Sequence, residues 1–176
     1  MVVNSSSSQT IDRCRVCDEK ISSPLLSLGK QPLANSLREN VTERLPIFPL
    51  EICRCQACGT VQLTETVSPE MLFEKYVWVT GTSDGARNYS RLFCEGLAAR
   101  CQPGSLQVVE VASNDGTFLK RFAERGDRVL GVDPAQNIAQ IAKERGIPTI
   151  ADFFGQGVAS RIVERDGEAD AVFARN

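Results

Sequence analysis

Hydrophobic and polar positions along this chain fall into two regimes. Up to about residue 66 the apolar residues come in short runs, at 25–28, 49–52 and 60–63, punctuated by Pro24, Gly29, Pro32, Pro46 and Pro49. Runs of that length between breakers predict short strands and exclude long helices. A short helix is expected over 69–76, then a β-rich strand over 76–80. A turn at Gly81-Thr82-Ser83-Asp84 ends in an N-cap, and Ala86, Tyr89, Leu92, Phe93 and Leu97 then recur at helical spacing. From residue 106 strands and helices alternate. Strands are expected at 106–112, 128–132, 147–150 and 169–174, with helices at 116–125, 134–145 and 155–165. Asp133 reads as the cap of the second of these helices, Pro134 as its first residue, and Gly126 and Gly146 as stops. Such β-α-β alternation predicts a parallel, doubly wound sheet.

These patterns imply an α/β chain made of a small cysteine-bearing domain followed by the first half of a Rossmann-like fold, a parallel sheet stopping after about four strands. The expected divisions are a disordered tail at 1–12, a zinc-binding domain at 13–66, a helical connector at 67–105 and a partial cofactor-binding domain at 106–176. A parallel sheet normally continues into a helix that covers its face. A chain that stops at Asn176, at the end of a strand, is therefore expected to be a fragment of a longer protein.

Composition narrows the chemistry. The 20 basic and 22 acidic residues give a net charge of −2, which provides no footprint for nucleic acid or an anionic membrane surface. No apolar run reaches the roughly 20 residues of a membrane span. Residues 1–9 lack the charged start and apolar stretch of a signal peptide, so a cytoplasmic protein is expected. The chain contains no histidine, which removes the usual side-chain base at neutral pH.

Of the seven cysteines, Cys14 and Cys17 form one C-x-x-C pair and Cys55 and Cys58 another. Two such knuckles can present four thiolates to one tetrahedral ion, and zinc is the default for that donor set. With no open position, the ion would be structural. Cys53 is a competing ligand by proximity, whereas Cys94 and Cys101 read as packed thiols. A nucleic-acid-binding ribbon would require basic and aromatic residues around the knuckles. The insert between the pairs has only Lys20, Lys30, Arg38, Arg44 and Arg54, and Phe48 as its sole aromatic.

The segment from Val108 to Gly116 ends a buried strand in a turn of small residues, Ala112, Ser113, Asn114, Asp115 and Gly116, that opens into a helix. Small residues admit a ligand close to the backbone, and a helix N-terminus there favours an anion. Asp133, at the end of the next strand, can accept hydrogen bonds from ribose hydroxyls, with Pro134 beside it. Glu110 lies inside the first strand, where a diphosphate cofactor gains nothing from an acid, and the G-x-G-x-x-G fingerprint is absent. These features favour S-adenosylmethionine over NAD, with Asp152 and Phe153 placed to contact adenine.

The ordered series Cys14-Arg15-Val16-Cys17, Leu28-Gly29, Pro32-Leu33-Ala34-Asn35, Cys55-Gln56-Ala57-Cys58-Gly59-Thr60-Val61-Gln62-Leu63, Phe73-Glu74-Lys75-Tyr76, Glu110 to Gly116 and Gly131-Val132-Asp133-Pro134 resembles the zinc-containing C-methyltransferases that act on nucleotide-linked keto-deoxysugars. The resemblance runs through nearly the whole chain. It implies a class I methyltransferase in which a base removes the proton beside a sugar ketone and the enolate attacks the cofactor's methyl group. In that family the base is a histidine soon after the fourth strand, a position this chain does not reach. The resemblance further implies that Tyr76 looks toward the substrate, that Glu110 lies near the cofactor's amino group, and that Ala112 stands where many methyltransferases carry glycine. A zinc-stabilised binding module without catalysis is the alternative expectation.

Overall fold

A computed structural model describes residues 7–175, and its contacts divide the chain into two compact units, Met1–Leu72 and Phe73–Asn176.

The first unit is all β. Strand β1 (Ser8–Thr10) is followed by β2 (Leu26–Pro32), β3 (Ile47–Arg54), β4 (Val61–Leu63) and β5 (Glu65–Val67). The order β2-β3-β4 makes one antiparallel sheet, and β1 pairs antiparallel with β5. The three short apolar runs thus become strands. The expected tail does not hold at its end, because Ser8–Thr10 finds the free edge of β5, with Ser8 opposite Val67. The part of that tail at residues 1–6 lies outside the described residues. Few side chains are buried in this unit: Cys14, Phe48, Cys53, Cys55 and Thr64. Every residue of β2 is exposed.

Helix α1 (Pro69–Phe73) leads across the division. In the second unit, a 3-10 turn (Thr80–Thr82) precedes α2 (Asp84–Ala98), β6 (Gln107–Val111), α3 (Leu119–Arg125), β7 (Arg128–Val132), α4 (Gln136–Glu144), β8 (Thr149–Ile150), α5 (Gln156–Asp166) and β9 (Ala171–Ala174). The sheet is parallel throughout, in the order β8-β7-β6-β9. Alternation along β6 serves both faces: Val108 packs with Cys94, Leu106, Leu119, Phe122, Ala142 and Ile147, and Val109 with Leu130, Val132, Val158 and Ile162. Helices α2, α3 and α4 therefore cover one face and α5 the other. The chain order changes direction at β6, and in open α/β sheets a ligand crevice forms at the carboxyl ends of strands at such a point.

Four local expectations change. Residues 76–79 form no strand and lead into the 3-10 turn at Thr80, because side chains satisfy their backbone groups: Asn137 binds both the N–H and the carbonyl of Tyr76, and Asn114 binds the carbonyl of Trp78 and the N–H of Thr80. Helix α2 is capped by Ser83, which accepts from the Ala86 N–H, but its buried seam runs through Ser90 and Cys94. Ser90 bonds the Arg87 carbonyl and accepts from Arg121, so a polar residue holds the contact line while Tyr89 and Leu92 stay exposed. Helix α3 starts at Leu119, because residues 112–117 form an irregular turn. Asp133 is not a helix cap: its carboxylate accepts from the N–H groups of Asn114 and Ala135, and α4 begins at Gln136 after Ala135.

Candidate cofactor cleft and metal centre

The four cysteines of the two knuckles converge. Their sulfurs all lie within 4.8 Å of one another, with Cys14 to Cys58 at 3.6 Å and Cys17 to Cys55 at 3.5 Å. A tetrahedral zinc with bonds of about 2.3 Å sets sulfur–sulfur edges of about 3.8 Å, so the donor set fits the ion. Each knuckle closes on itself: Asp18 N–H donates to the Cys14 carbonyl, and Gly59 N–H to that of Cys55. The backbone amides of Cys17 and Val16 hold the Cys14 thiol down at about 6. The Thr60 hydroxyl and amide lower Cys58. Cys17 goes the other way, to about 12. The Glu19 amide favours its thiolate, but the sulfurs of Cys58, Cys55 and Cys14 crowd it. Four thiolates cannot share this space without a cation, which is the charge a divalent ion supplies. Cys53 is fully buried but turns its sulfur to the Gln62 carbonyl, and it is not one of the four. Cys94 and Cys101 pack against the α2–α3 side of the sheet.

A second site lies within the other unit. A cleft of about 710 Å³ opens beyond the ends of β6 and β7, walled by Tyr76, Trp78 and Thr80 on one side and by Ala112, Asn114, Asp133 and Pro134 on the other. That volume falls in the range of small-molecule sites. Its aromatic floor includes Phe118, which meets Phe93 edge-on at 5.6 Å between ring centres.

The turn that frames the cleft alternates in hand. Ala112 (φ 53°), Asn114 (φ 51°) and Gly116 (φ 73°) are left-handed. Asp133 ties this turn to β7 at 2.8 Å from the Asn114 N–H and 2.9 Å from that of Ala135. Burial raises the Asp133 carboxyl, and those two amides pull it back. The amides expected to receive an anion are already engaged. Those of Ser113, Asn114, Gly116 and Thr117 donate to Val132, Asp133, Ser113 and Asp115 respectively.

Of the residues singled out from sequence, Tyr76, Ala112, Asn114, Asp133 and Pro134 line the cleft. Glu110 lies fully buried, with one oxygen on Arg175 at 2.6 Å and the other, Oε2, without a partner. Burial pushes its carboxyl up to about 7, although Arg175 opposes the shift. Ser113 is buried with its hydroxyl unpartnered. Asp115 faces away and serves structure: it takes the Gly81 N–H, the Thr117 hydroxyl and the Arg145 guanidinium. Gly116 packs on Ile147. Asp152 pairs with Arg161 at 2.7 Å, and neither it nor Phe153 lines the cleft.

Sequence reasoning missed Asn137, Phe118 and Arg175. Asn137 carries no motif, and its role appears only once residues 74–80 fold back over α4. Arg175 stands just after the apolar run of β9, where a cation at a strand's carboxyl end is the available signal.

Comparison with known proteins reaches both units of the chain. Residues 14–73 match a family model described as "Putative zinc binding domain". The chain is 35% identical over 169 residues to the C-methyltransferase NovU of Streptomyces niveus, an alignment covering 94% of this chain. The chain spans 40% of the length of that curated relative. Solved structures with partial likeness include the magnesium protoporphyrin IX methyltransferase ChlM of Synechocystis PCC 6803 (TM-score 0.40, 15% identity, 51% of this chain and 44% of that one). Another is an S-adenosylmethionine-dependent methyltransferase of Agrobacterium tumefaciens (TM-score 0.41, 18% identity, 56% and 33%). Among the described residues, no helix is long and apolar enough to cross a membrane.

Proposed function

We propose that this chain belongs with the zinc-containing C-methyltransferases and takes part in S-adenosylmethionine-dependent C-methylation of a nucleotide-linked keto-deoxysugar, with the cofactor in the cleft beyond β6 and β7. The observation that carries the reading is the buried carboxylate of Asp133 at the carboxyl end of β7, fixed by two backbone amides and facing a cleft of cofactor size. Each of its oxygens keeps acceptor capacity for a ribose hydroxyl. The unpartnered oxygen of Glu110 supports the same reading, because a buried acceptor without a donor marks a place where a ligand's donor belongs.

When bound, S-adenosylmethionine supplies an electrophilic methyl group. The chain's residues hold and enclose. Asp133 fixes the ribose, Ala112 and Asn114 shape the backbone wall, and Tyr76 and Trp78 limit water from the opposite side. Tyr76 is half-buried, with its main chain pinned by Asn137 on both polar groups, which gives its ring a fixed starting point toward a substrate. The knuckle cysteines Cys14, Cys17, Cys55 and Cys58 hold a structural zinc.

Calorimetric titration of the zinc-loaded chain with S-adenosylhomocysteine, with NADH as control, tests the reading. Saturable binding of the first, lost in Asp133→Ala, is the expected result. Binding of NADH alone would overturn it.

A further inference from the structure

Helix α2 has two seams, and only one of them is buried. Ser90 and Cys94 face the core, whereas Ala86, Tyr89 and Phe93, spaced by three and then four residues, line the cleft. Tyr89 is 55% exposed, yet its ring is seated. It meets Phe118 edge-on at 5.9 Å and Phe93 at 6.2 Å between ring centres. A ring that only packed the core would be covered. Exposure alone does not single it out, because Leu92 on the same helix is also exposed but does not line the cleft. Tyr89 combines a fixed ring with an open position on the cleft wall.

The two sides of the cleft differ in chemistry. Asp133 and Pro134 stand at the carboxyl end of β7, where the ribose is placed above. Phe118 lies under the guanidinium of Arg175, which follows β9, so Tyr89, seated on Phe118, belongs to the β9 side. In the order β8-β7-β6-β9, strand β6 separates the two sides. The β9 side therefore offers rings where the β7 side offers a carboxylate, and it suits the apolar face of a second molecule. A deoxysugar ring has such a face. Its C–H groups carry a slight positive charge that complements the negative face of an aromatic ring.

We propose that Tyr89 binds the acceptor's sugar ring by stacking, on the β9 side of the cleft, across β6 from the ribose at Asp133. The inference rests on the proposed function and deepens it by naming a side chain that holds the acceptor. Tyr89 acts through its ring, which Phe93 and Phe118 keep in place from behind. Those two rings also hold each other, so the wall stands when Tyr89 is shortened.

Trp78, the chain's one tryptophan, lines the same cleft, so its fluorescence reports occupancy. The zinc-loaded chain, saturated with S-adenosylhomocysteine, is titrated with a thymidine-diphosphate-linked keto-deoxyglucose and with thymidine diphosphate alone. The ratio of the two affinities is the gain from the sugar. Tyr89→Ala should cut that gain about fivefold, the size of an aromatic contact, while S-adenosylhomocysteine binds as before by calorimetry. Tyr89→Phe keeps the ring and should keep the gain. Tyr89→Leu keeps apolar bulk without the ring; it should lose the gain, and it decides the matter if the alanine change disturbs the cleft. An undiminished gain in Tyr89→Leu, a lost gain in Tyr89→Phe, or no gain in the unmodified chain overturns the proposal and leaves the cofactor reading intact. Weaker binding of S-adenosylhomocysteine by Tyr89→Phe or Tyr89→Leu also overturns it, because Tyr89 would then be a cofactor contact. Failure of S-adenosylhomocysteine to bind the unmodified chain overturns both.

Discussion

At the scale of single residues, the second unit places charge and strain where an ordinary core would place neither. Glu110 lies in the middle of β6, fully buried, and burial lifts its carboxyl from 4.5 to about 7 against the pull of Arg175. Between those two values the folded chain holds a proton that the unfolded chain has released, so stability falls as pH rises through that window. The span of the shift corresponds to about 3 kcal/mol. Glu110→Gln should remove this dependence. Urea denaturation followed by the fluorescence of Trp78, the chain's one tryptophan, should show the parent losing stability relative to the variant from pH 5 to pH 8. Parallel curves would mean that Glu110 does not titrate in this window. Ala112 is the second such residue. A left-handed alanine costs about 1–2 kcal/mol relative to the ordinary conformation, partly offset by the greater unfolded-state entropy of glycine. Ala112→Gly should therefore raise stability by about 0.5–1 kcal/mol in the same denaturation experiment, and it widens the backbone wall of the cleft by one methyl group.

At the scale of elements, the segment from Glu74 to Thr82 is held over the sheet by side chains reaching out of helix and turn. Asn137 on α4 clamps Tyr76; Asn114 and Asp115 in the β6–α3 turn clamp Trp78, Thr80 and Gly81. At Gly81 the backbone comes so close that an added Cβ would lie 2.6 Å from the Asp115 carboxylate and 2.7 Å from the Thr117 hydroxyl. Gly81→Ala should push the segment off its seat, at a cost of about 1–3 kcal/mol, and Asn137→Ala should free Tyr76 alone. Amide hydrogen exchange separates the two: the first variant should speed exchange at Thr80 and Gly81, the second at Tyr76. Protection unchanged at Tyr76 in Asn137→Ala would remove the clamp from the account. This segment also marks the limit of what the sequence discloses. The apolar, β-rich run at 76–80 has strand-like composition, and nothing local says that two asparagines 34 and 61 positions away supply its hydrogen bonds. By contrast β7 was legible residue for residue, because Arg128 to Val132 is a short apolar run that meets parallel neighbours on both sides. The same division holds in the site. Asp133 was legible as a carboxylate at a strand's end. Its fixation by Asn114 and Ala135, the outward turn of Asp115 and the arrival of Arg175 depend on contacts that no local pattern encodes.

At the scale of the molecule, the two units differ in what holds them together. The second has apolar clusters on both sides of a parallel sheet. Among its described residues the first buries Phe48 and little else besides Cys14, Cys53, Cys55 and Thr64, while Leu26, Leu28, Ile47, Val61 and Leu63 stay exposed. A unit of this size with so small a core is below what apolar burial alone can stabilise. The four sulfurs join the Cys14–Cys17 knuckle near the chain start to the Cys55–Cys58 knuckle between β3 and β4, so one ion closes a loop of some forty residues. Metal binding free energy then becomes folding free energy for that unit. Chelation should release zinc in proportion to chain, one ion per molecule, and collapse the amide dispersion of β2, β3 and β4 in the NMR spectrum. Cys55→Ser, which removes a fully buried ligand, should do the same without chelator, whereas Cys53→Ser should leave the zinc content at one. Retention of dispersed β3 resonances after complete zinc removal would show that the strands cohere without the ion, and the metal would then be an ornament of this unit instead of its core.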